Sequence, residues 1–226
     1  NGNIVITAGL TTGTTSFTVT NDTLDENDET VVVTMGTPTN AAAGTVTVQT
    51  ITITDDDAQP TVSIGDSSGA ESANRSFSVS LSTASGKTIS VNYATAPGTA
   101  EAVADYTSAS GVLTFNPSDT VKSVTVTVVD DALDEENEAF TVGLTDPSNV
   151  TIADSSGTGT ITDNDNPPTI SINDVTVTET EANVTATFTA TLSTTSGKPI
   201  SVIYATQAVS ATAGIDYTTA SGTLNF

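Results

Sequence analysis

LSTASGKTISVNYAT occupies residues 81–95, and LSTTSGKPISVIYAT repeats it with few changes at residues 192–206, an offset of 111. A second pair, DYTSASGVLTF at 105–115 and DYTTASGTLNF at 216–226, has the same offset. Self-similarity at a fixed spacing is the sequence signature of tandem structural repeats. The chain is therefore predicted to be an array of similar units rather than a single irregular domain.

The boundaries of the units follow from two acidic endings, ITDDD and ITDND, which close at Asp57 and Asp165 and each precede a proline and a new strand pattern. We predict the C-terminal half of a repeat at 1–59, a complete repeat at 60–166 and the N-terminal half of another at 167–226. Because the strand patterns are cut at both ends, we expect the natural protein to be longer, with more copies on each side. Completion of the two half-repeats by neighbouring molecules stays an alternative.

Apolar side chains alternate with Ser and Thr along several short segments, which predicts half-buried β-strands. Phe77, Val79 and Leu81 form one such row, and Val124, Val126 and Val128 form another. No segment shows the 3.6-residue period of a helix. About seven strands in a repeat of this length predict an all-β fold of tandem seven-stranded antiparallel sandwiches of immunoglobulin type.

The composition excludes several classes of function. The chain carries 27 acidic against four basic residues, a net charge of -23, which excludes nucleic-acid binding and disfavours anionic membranes. It has no His and no Cys, so zinc and copper sites are very unfavourable and the commonest general base is missing. Only a carboxylate pair, as in glycoside hydrolysis, could support catalysis, and we predict no enzyme activity. No apolar run reaches the length of a membrane span, and the first residues lack the basic region of a signal peptide.

The acidic residues gather in two recurrent runs: NDTLDENDE at 21–29 returns as DDALDEENE at 130–138, offset by 109, and the endings ITDDD and ITDND recur as well. All lie at predicted strand ends or in loops, which a sandwich can bring to one pole. Such runs are often only solvated surface, but their recurrence in register favours a cation site. Carboxylate and carbonyl oxygens suit Ca²⁺, with its six to eight oxygen ligands, better than Mg²⁺. The runs lack the glycine that an EF-hand loop requires.

Four blocks, SGKTISVNYAT, ADYTSASGVLTF, VTVVDDALDEENEAFTVGL and GTGTITDND, follow one another across residues 61–165. In order and spacing they resemble tandem Calx-beta domains, the modules of sodium–calcium exchangers, integrin β4 and many large bacterial surface proteins. The flanking segments resemble the corresponding halves. The resemblance implies a seven-stranded sandwich that binds several Ca²⁺ ions at its distal loops.

The resemblance also implies the metal ligands. In the complete repeat they are Glu71, Asp105, Asp130, Asp131, Glu135, Asp163 and Asp165; in the first they are Asp22, Glu26, Asp55, Asp56 and Asp57; in the last they are Glu179 and Asp216. Asn21 and Asn164 stand where the family pattern has acids and should weaken binding, and Glu181 competes with Glu179. Three other acids of the second run, Asp134, Glu136 and Glu138, are interpreted as a solvated surround. Lys87 and Lys198 are interpreted as solvated turn residues, and the four recurring tyrosines as core packing.

These observations predict a calcium-binding structural segment of a secreted or cell-surface protein, most consistent with a bacterial stalk, filament or adhesin. Ca²⁺ at the domain joints would make the rod rigid. The expected partners are calcium ions, neighbouring repeats of the chain and, beyond these, self-association or an unknown surface ligand, without direct membrane insertion. Two alternatives stay open: a regulatory calcium sensor that responds at micromolar calcium, and a cadherin-like adhesion array suggested by TDNDNPP at 162–168.

Overall fold

A computed structural model describes residues 2–226, so Asn1, the first residue of the predicted first unit, lies outside the described residues. The strands are β1 (Glu29–Thr34), β2 (Val48–Ile53), β3 (Thr61–Ile64), β4 (Ser67–Ala70), β5 (Arg75–Leu81), β6 (Ile89–Pro97), β7 (Ser110–Phe115), β8 (Val121–Val126), β9 (Glu138–Ser148), β10 (Thr151–Asp154), β11 (Ser156–Thr162), β12 (Ile170–Ile172), β13 (Ala190–Leu192), β14 (Ser201–Ala205) and β15 (Ser221–Asn225). Among these residues, no helix has the length and apolarity needed to cross a bilayer.

Strands β3 to β11 form a two-sheet sandwich. One sheet has the order β10-β3-β5-β8, and the other has the order β4-β11-β9-β6-β7. The first strand is divided between the sheets as β3 and β4, and the last is divided as β10 and β11. Counting each divided strand once gives seven strands, so the predicted all-β, immunoglobulin-like sandwich is confirmed.

The alternation seen in the sequence places one row of side chains between the sheets. Along β5, Phe77, Val79 and Leu81 are buried while the serines between them face outward or lie half-buried. Phe77 contacts Phe140 of the opposite sheet edge-to-face, with ring centroids 5.9 Å apart. Each fully buried Val or Phe side chain contributes about 1.5–3 kcal/mol, so this row is one substantial part of the core between the two sheets.

The divided last strand brings the two sheets into close contact. A Cβ added at Gly157 of β11 would lie 2.6 Å from the carbonyl oxygen of Gly65, which is a backbone atom and cannot turn aside. A Cβ at Gly159 would lie 2.6 Å from the ring of Phe140. Glycine is therefore required at both positions by close packing, not by backbone conformation.

The flanking segments form two-stranded sheets: β1 with β2, β12 with β13 and β14 with β15. Their apolar side chains are largely exposed, for example Val32 at 56% and Ile203 at 81%. The division of the chain into partial and complete repeats at residues 59 and 166 stays a prediction.

Candidate metal centre

Three strand ends meet at one pole of the central sandwich. β4 and β11 run parallel and end side by side, with Ala70 opposite Thr162, and the amide of Glu71 donates to the Thr162 carbonyl at 3.1 Å. β9 begins beside them, because Glu138 pairs with Ile161. The residues that follow β4 and β11, and the loop that precedes β9, are therefore brought together. All three are acidic, as the sequence predicts.

The centre of this pole is a cluster of three carboxylates. Each of the three residues contributes one oxygen, and these oxygens, from Glu71, Asp131 and Asp165, all lie within 4.8 Å of one another. Glu71 is buried, Asp165 is half-buried and Asp131 is exposed. We call the surrounding depression the central acidic cleft; its lining consists of Glu71, Asp105, Val129, Asp131, Glu135, Glu136, Glu138, Ile161 and Asp163. Like charges at this distance repel, so the cluster needs either a proton or a cation.

Three buried carboxylate oxygens in this region have no hydrogen-bond partner among residues 2–226: Glu71 Oε1, Asp163 Oδ1 and Asp165 Oδ2. A buried oxygen without a partner costs about 1–3 kcal/mol, and more when the group is charged. A hard divalent cation would satisfy such oxygens, since Ca²⁺ takes carboxylate and carbonyl ligands from several loops. The residues present therefore fit a bound Ca²⁺.

Without a bound metal, protonation of some carboxylates reduces the repulsion between them. Burial raises the pKa of Glu71 to about 7, and a hydrogen bond shared with Asp165 and the charges of Asp165, Asp163 and Asp131 act in the same direction. The pKa of Glu138 is also raised to about 7, first by burial and then by a hydrogen bond shared with Asp105. At neutral pH the cleft is therefore partly protonated, and a bound cation would displace these protons.

The loops that carry the acids are held by their own side chains. Asp131 Oδ1 accepts a hydrogen bond from the Leu133 amide at 2.8 Å, and Asp105 Oδ2 accepts one from the Glu101 amide at 2.6 Å. Asn137 Oδ1 accepts from the Asp163 amide at 3.1 Å, which ties the acidic loop to the end of β11. Such side-chain-to-backbone bonds fix short turns without regular secondary structure.

The first repeat builds a similar depression, which we call the first acidic cleft. Its lining includes all five predicted ligands of that repeat, Asp22, Glu26, Asp55, Asp56 and Asp57, together with Asn21 and Glu29. Asp22 Oδ1 accepts from the Leu24 amide at 2.9 Å, which matches the turn at Asp131. The pKa of Glu26 is raised by burial and then by the charges of Asp22, Glu29, Asp55 and Asp57.

Not every predicted ligand lies in these clefts. Asp130 is exposed, is absent from the lining of the central acidic cleft and accepts a 3.4 Å hydrogen bond from the side chain of Asn164. Glu179 and Asp216 are exposed as well, and Asp216 accepts from the Thr212 amide at 2.7 Å, as Asp105 does from Glu101. Their roles as ligands stay predictions.

The sequence interpretation missed two residues of the cleft, Glu138 and Glu136, which were placed in a solvated surround but line it. Glu138 is the first residue of β9 and lines the cleft together with Asp105. Its counterpart in the first repeat, Glu29, lines the first acidic cleft. The offset of 109 that relates the two runs was the signal that could have identified it.

The interpretation of Asp134 and of the turn lysines was wrong. Asp134 is buried, at 8% exposure, and its Oδ1 lies 2.7 Å from Lys198 Nζ. Lys87 pairs with Asp25 in the same way, at 2.6 Å. Both pairs join adjacent repeats, which a sequence reading cannot foresee because their partners lie 62 and 64 residues away.

The interpretation of the tyrosines as core packing is confirmed only in part. Tyr106 is 1% exposed and stacks on Phe140 with centroids 4.4 Å apart, and Tyr93 packs against the same core. Tyr204, the counterpart of Tyr93, is 42% exposed because the flanking sheet that carries it has only two strands.

The raised pKa values predict how stability depends on pH in the absence of calcium. A carboxyl group whose pKa is higher in the folded state binds a proton more tightly there, so Glu71 and Glu138 destabilise the fold as pH rises from 4.5 to about 7. We therefore expect the Tm in excess EGTA to fall across this window and to level off above it. Glu71→Gln should flatten the profile, whereas an unchanged profile would contradict the assignment. The measurement is a series of thermal melts in EGTA.

The fold and the acidic pole define a class: immunoglobulin-like modules built to hold a hard cation at their loops. The Calx-beta domain family model matches residues 1–57, 58–165 and 163–226. The chain thus belongs to the Calx-beta family, as its sequence motifs indicated. Calx-beta domains are calcium-binding modules, so Ca²⁺ is the cofactor of this class.

Among curated proteins, sodium/calcium exchanger 1 of Mus musculus is 39% identical over 66 residues, which is 29% of this chain and 6% of the exchanger. The chain thus matches only a small part of that relative. Among solved structures, the apo form of the Calx CBD1 domain is similar over 48% of this chain and 100% of that chain, with 26% identity and a TM-score of 0.43. CBD12 from CALX1.2 is similar over 73% of this chain and 70% of that chain, with 25% identity and a TM-score of 0.45.

Proposed function

We propose that this chain is a calcium-binding structural segment of a secreted or cell-surface stalk, filament or adhesin, in which Ca²⁺ at the domain joints makes the rod rigid. The observation that carries the proposal is the set of unpartnered buried oxygens on Glu71, Asp163 and Asp165. They lie at the pole where the next repeat makes contact, since Lys198 Nζ is 3.8 Å from Asp163 Oδ2.

In the central repeat, Glu71, Asp131 and Asp165 would hold the first ion, because their oxygens already converge. Asp105, Glu135, Asp163 and Glu138 line the same cleft and supply further oxygens. Several carboxylates in one cleft could hold more than one Ca²⁺. In the first repeat Asp22, Glu26, Asp55, Asp56 and Asp57 would do the same.

The joints are short enough for a change at the pole to reach the next repeat. Only Ala58 and Gln59 separate the acidic ending at Asp57 from Pro60, which is buried in the central sandwich. The carbonyl of Pro60 accepts a hydrogen bond from the Thr151 amide at 3.1 Å. The second joint contains Pro167 and Pro168, and proline stiffens a linker. Binding of Ca²⁺ at the pole would therefore restrict the angle between repeats.

A location outside the cell implies a range for the affinity of the chain for Ca²⁺. Extracellular calcium modules bind with a Kd of about 10⁻⁴–10⁻³ M, which matches the concentration outside cells. A hundredfold excess of calcium over Kd stabilises the folded state by about 2.7 kcal/mol. Location outside the cell, the absence of catalytic activity and the division of the chain at residues 59 and 166 belong to this proposal.

The experiment compares the chain in millimolar calcium and in excess EGTA by thermal melting and small-angle X-ray scattering. We expect calcium to raise the Tm and to give a more extended, less variable particle. Magnesium at the same concentration is the control for ionic strength and should give a smaller rise. If neither Tm nor dimensions respond to calcium, the proposal fails.

A regulatory calcium sensor is the second candidate, and the segment shared with sodium/calcium exchanger 1 favours it. A sensor would use the same carboxylates but respond at micromolar calcium. Calorimetric titration separates the two, because a Kd near 10⁻⁶ M supports the sensor and one near 10⁻³ M supports the stalk. A cadherin-like adhesion array stays a further alternative, with the TDNDNPP joint as its only support.

A further inference from the structure

Two acidic loops of the chain each receive a turn from the repeat that follows. Leu24-Asp25-Glu26 contacts Ser85-Gly86-Lys87, and Leu133-Asp134-Glu135 contacts Ser196-Gly197-Lys198. We name these the Leu-Asp-Glu loop and the Ser-Gly-Lys turn. Because the same contacts occur at two separate joints, they are a property of the repeat and not of one local environment.

The contacts agree atom by atom. The amides of Gly86 and Gly197 donate to the carbonyls of Asp25 and Asp134, both at 3.1 Å. The hydroxyls of Ser85 and Ser196 donate to the same carbonyls at 2.9 and 3.3 Å. The two ammonium groups then bind the aspartate carboxylates at 2.6 and 2.7 Å. Each aspartate is thus bound through both its backbone and its side chain.

The turn itself is prepared for this contact. The hydroxyls of Ser85 and Ser196 accept hydrogen bonds from the amides of Lys87 and Lys198 at 3.0 and 3.1 Å, which closes the turn. Both aspartates are buried, Asp25 at 5% and Asp134 at 8% exposure. Charge-assisted hydrogen bonds in such partly dry surroundings are stronger than exposed ion pairs.

The glycine of the turn lies against the glutamate of the loop. A Cβ on Gly197 would be 2.6 Å from Glu135 Cγ, and one on Gly86 would be 2.6 Å from Glu26 Cγ. Any larger residue would push the glutamate aside. The serine, the glycine and the lysine therefore each have a separate role in the contact: closing the turn, allowing close approach and binding the charge.

We propose that the Ser-Gly-Lys turn is the docking element that holds each repeat on the Leu-Asp-Glu loop of the repeat before it, and that it sets their relative orientation without calcium. The partner surface is the acidic loop of the same chain. This contact uses Asp25 and Asp134, which are not among the predicted metal ligands, so the proposal does not rest on calcium binding. Calcium would then stiffen a joint that is already oriented.

The test measures the second joint in excess EGTA. The chain contains no cysteine, so Val112→Cys and Val209→Cys, both at exposed positions, give unique sites for spin labels on the two sides. Lys198→Met should broaden the distance distribution between the labels. It should also speed hydrogen exchange at the Gly197 amide by about five- to tenfold, the size expected from losing one hydrogen bond of ordinary net strength at a partly exposed position. The matched control is Lys122→Met. Lys122 pairs with Asp119 at 2.8 Å, and both residues belong to the central repeat, so this ion pair does not cross a joint.

A charge exchange distinguishes docking from a general loss of structure. Asp134→Lys alone should broaden the distribution, and Asp134→Lys combined with Lys198→Asp should narrow it again by restoring an opposite pair. The proposal would be overturned if the distance distribution of Lys198→Met in EGTA were as narrow or as broad as that of wild type. It would also be overturned if the Gly197 amide exchanged at the same rate in the variant and in wild type. Because all samples contain EGTA, failure of the calcium proposal would leave these outcomes unaffected.

Discussion

Asp131→Asn is expected to make the chain less responsive to calcium and, in EGTA, more stable than wild type. Asp131 is one of the three carboxylates whose oxygens converge, and its charge contributes to the raised pKa of Glu71. Asparagine removes that charge but keeps the Oδ1 atom that accepts from the Leu133 amide. Repulsion within the cluster falls, while a calcium ligand of full charge is lost.

The expected size follows from linkage. If the affinity falls about tenfold, calcium at a hundredfold excess over the wild-type Kd stabilises the variant by about 1.4 kcal/mol instead of about 2.7 kcal/mol. The measurement is a pair of urea unfolding curves, one in calcium and one in EGTA. A variant that merely folds badly would be less stable in both, so the opposite signs of the two changes are diagnostic.

The matched control is Asp146→Asn, which removes the same charge near the other end of β9. Asp146 has a φ of 49°, a conformation that asparagine also adopts readily. Its carboxylate accepts from Asn92 at 2.9 Å, and asparagine keeps an acceptor there. We expect the calcium response of this variant to equal that of wild type. If both variants lost the same amount of stabilisation by calcium, the calcium response would depend only on the net charge of the chain.

Phe140→Ala is expected to lower the free energy of unfolding of the central sandwich by about 3–5 kcal/mol. Phe140 is fully buried, stacks on Tyr106 and meets Phe77 edge-to-face, so its removal leaves a cavity bordered by rings that cannot all relax into it. Gly159 packs directly on the same ring. Since small domains are stable by about 5–15 kcal/mol, this loss is a large part of the total.

Urea unfolding in EGTA measures this change without a contribution from calcium. Phe140→Leu keeps most of the volume and should cost less. Val121→Ala, at a position 57% exposed on β8, should change stability by about 0.5 kcal/mol or less. A Phe140→Ala variant within 1 kcal/mol of wild type would contradict the assignment of Phe140 to the centre of the core.

The fold was predictable because the strand period is short and local. Phe77, Val79 and Leu81 alternate with serines, and that pattern alone states which face of β5 is buried. The division of the first and last strands between two sheets was not predictable. It depends on the close approach of Gly157 to the backbone at Gly65, 92 residues away along the chain, and no local pattern records that contact.

The candidate site was predictable in outline for a similar reason. Recurrent acids at strand ends led to Glu71, Asp131 and Asp165, whose oxygens the structure brings together. Glu138 was missed because it was assigned to the solvated surround of the acidic run, whereas it begins β9 and lines the cleft. The pairing of Asp134 with Lys198 was missed because it crosses a joint, and sequence periodicity within one repeat carries no information about contacts between repeats.

The most direct measurement is an anomalous difference map from crystals of the chain grown in millimolar calcium. We predict a peak between Glu71, Asp131 and Asp165, with carboxylate oxygens at about 2.3–2.6 Å from the ion. A second peak in the first acidic cleft, beside Asp22 and Asp57, would extend the same geometry to the preceding repeat. A map with no peak among the three central carboxylates would contradict the account.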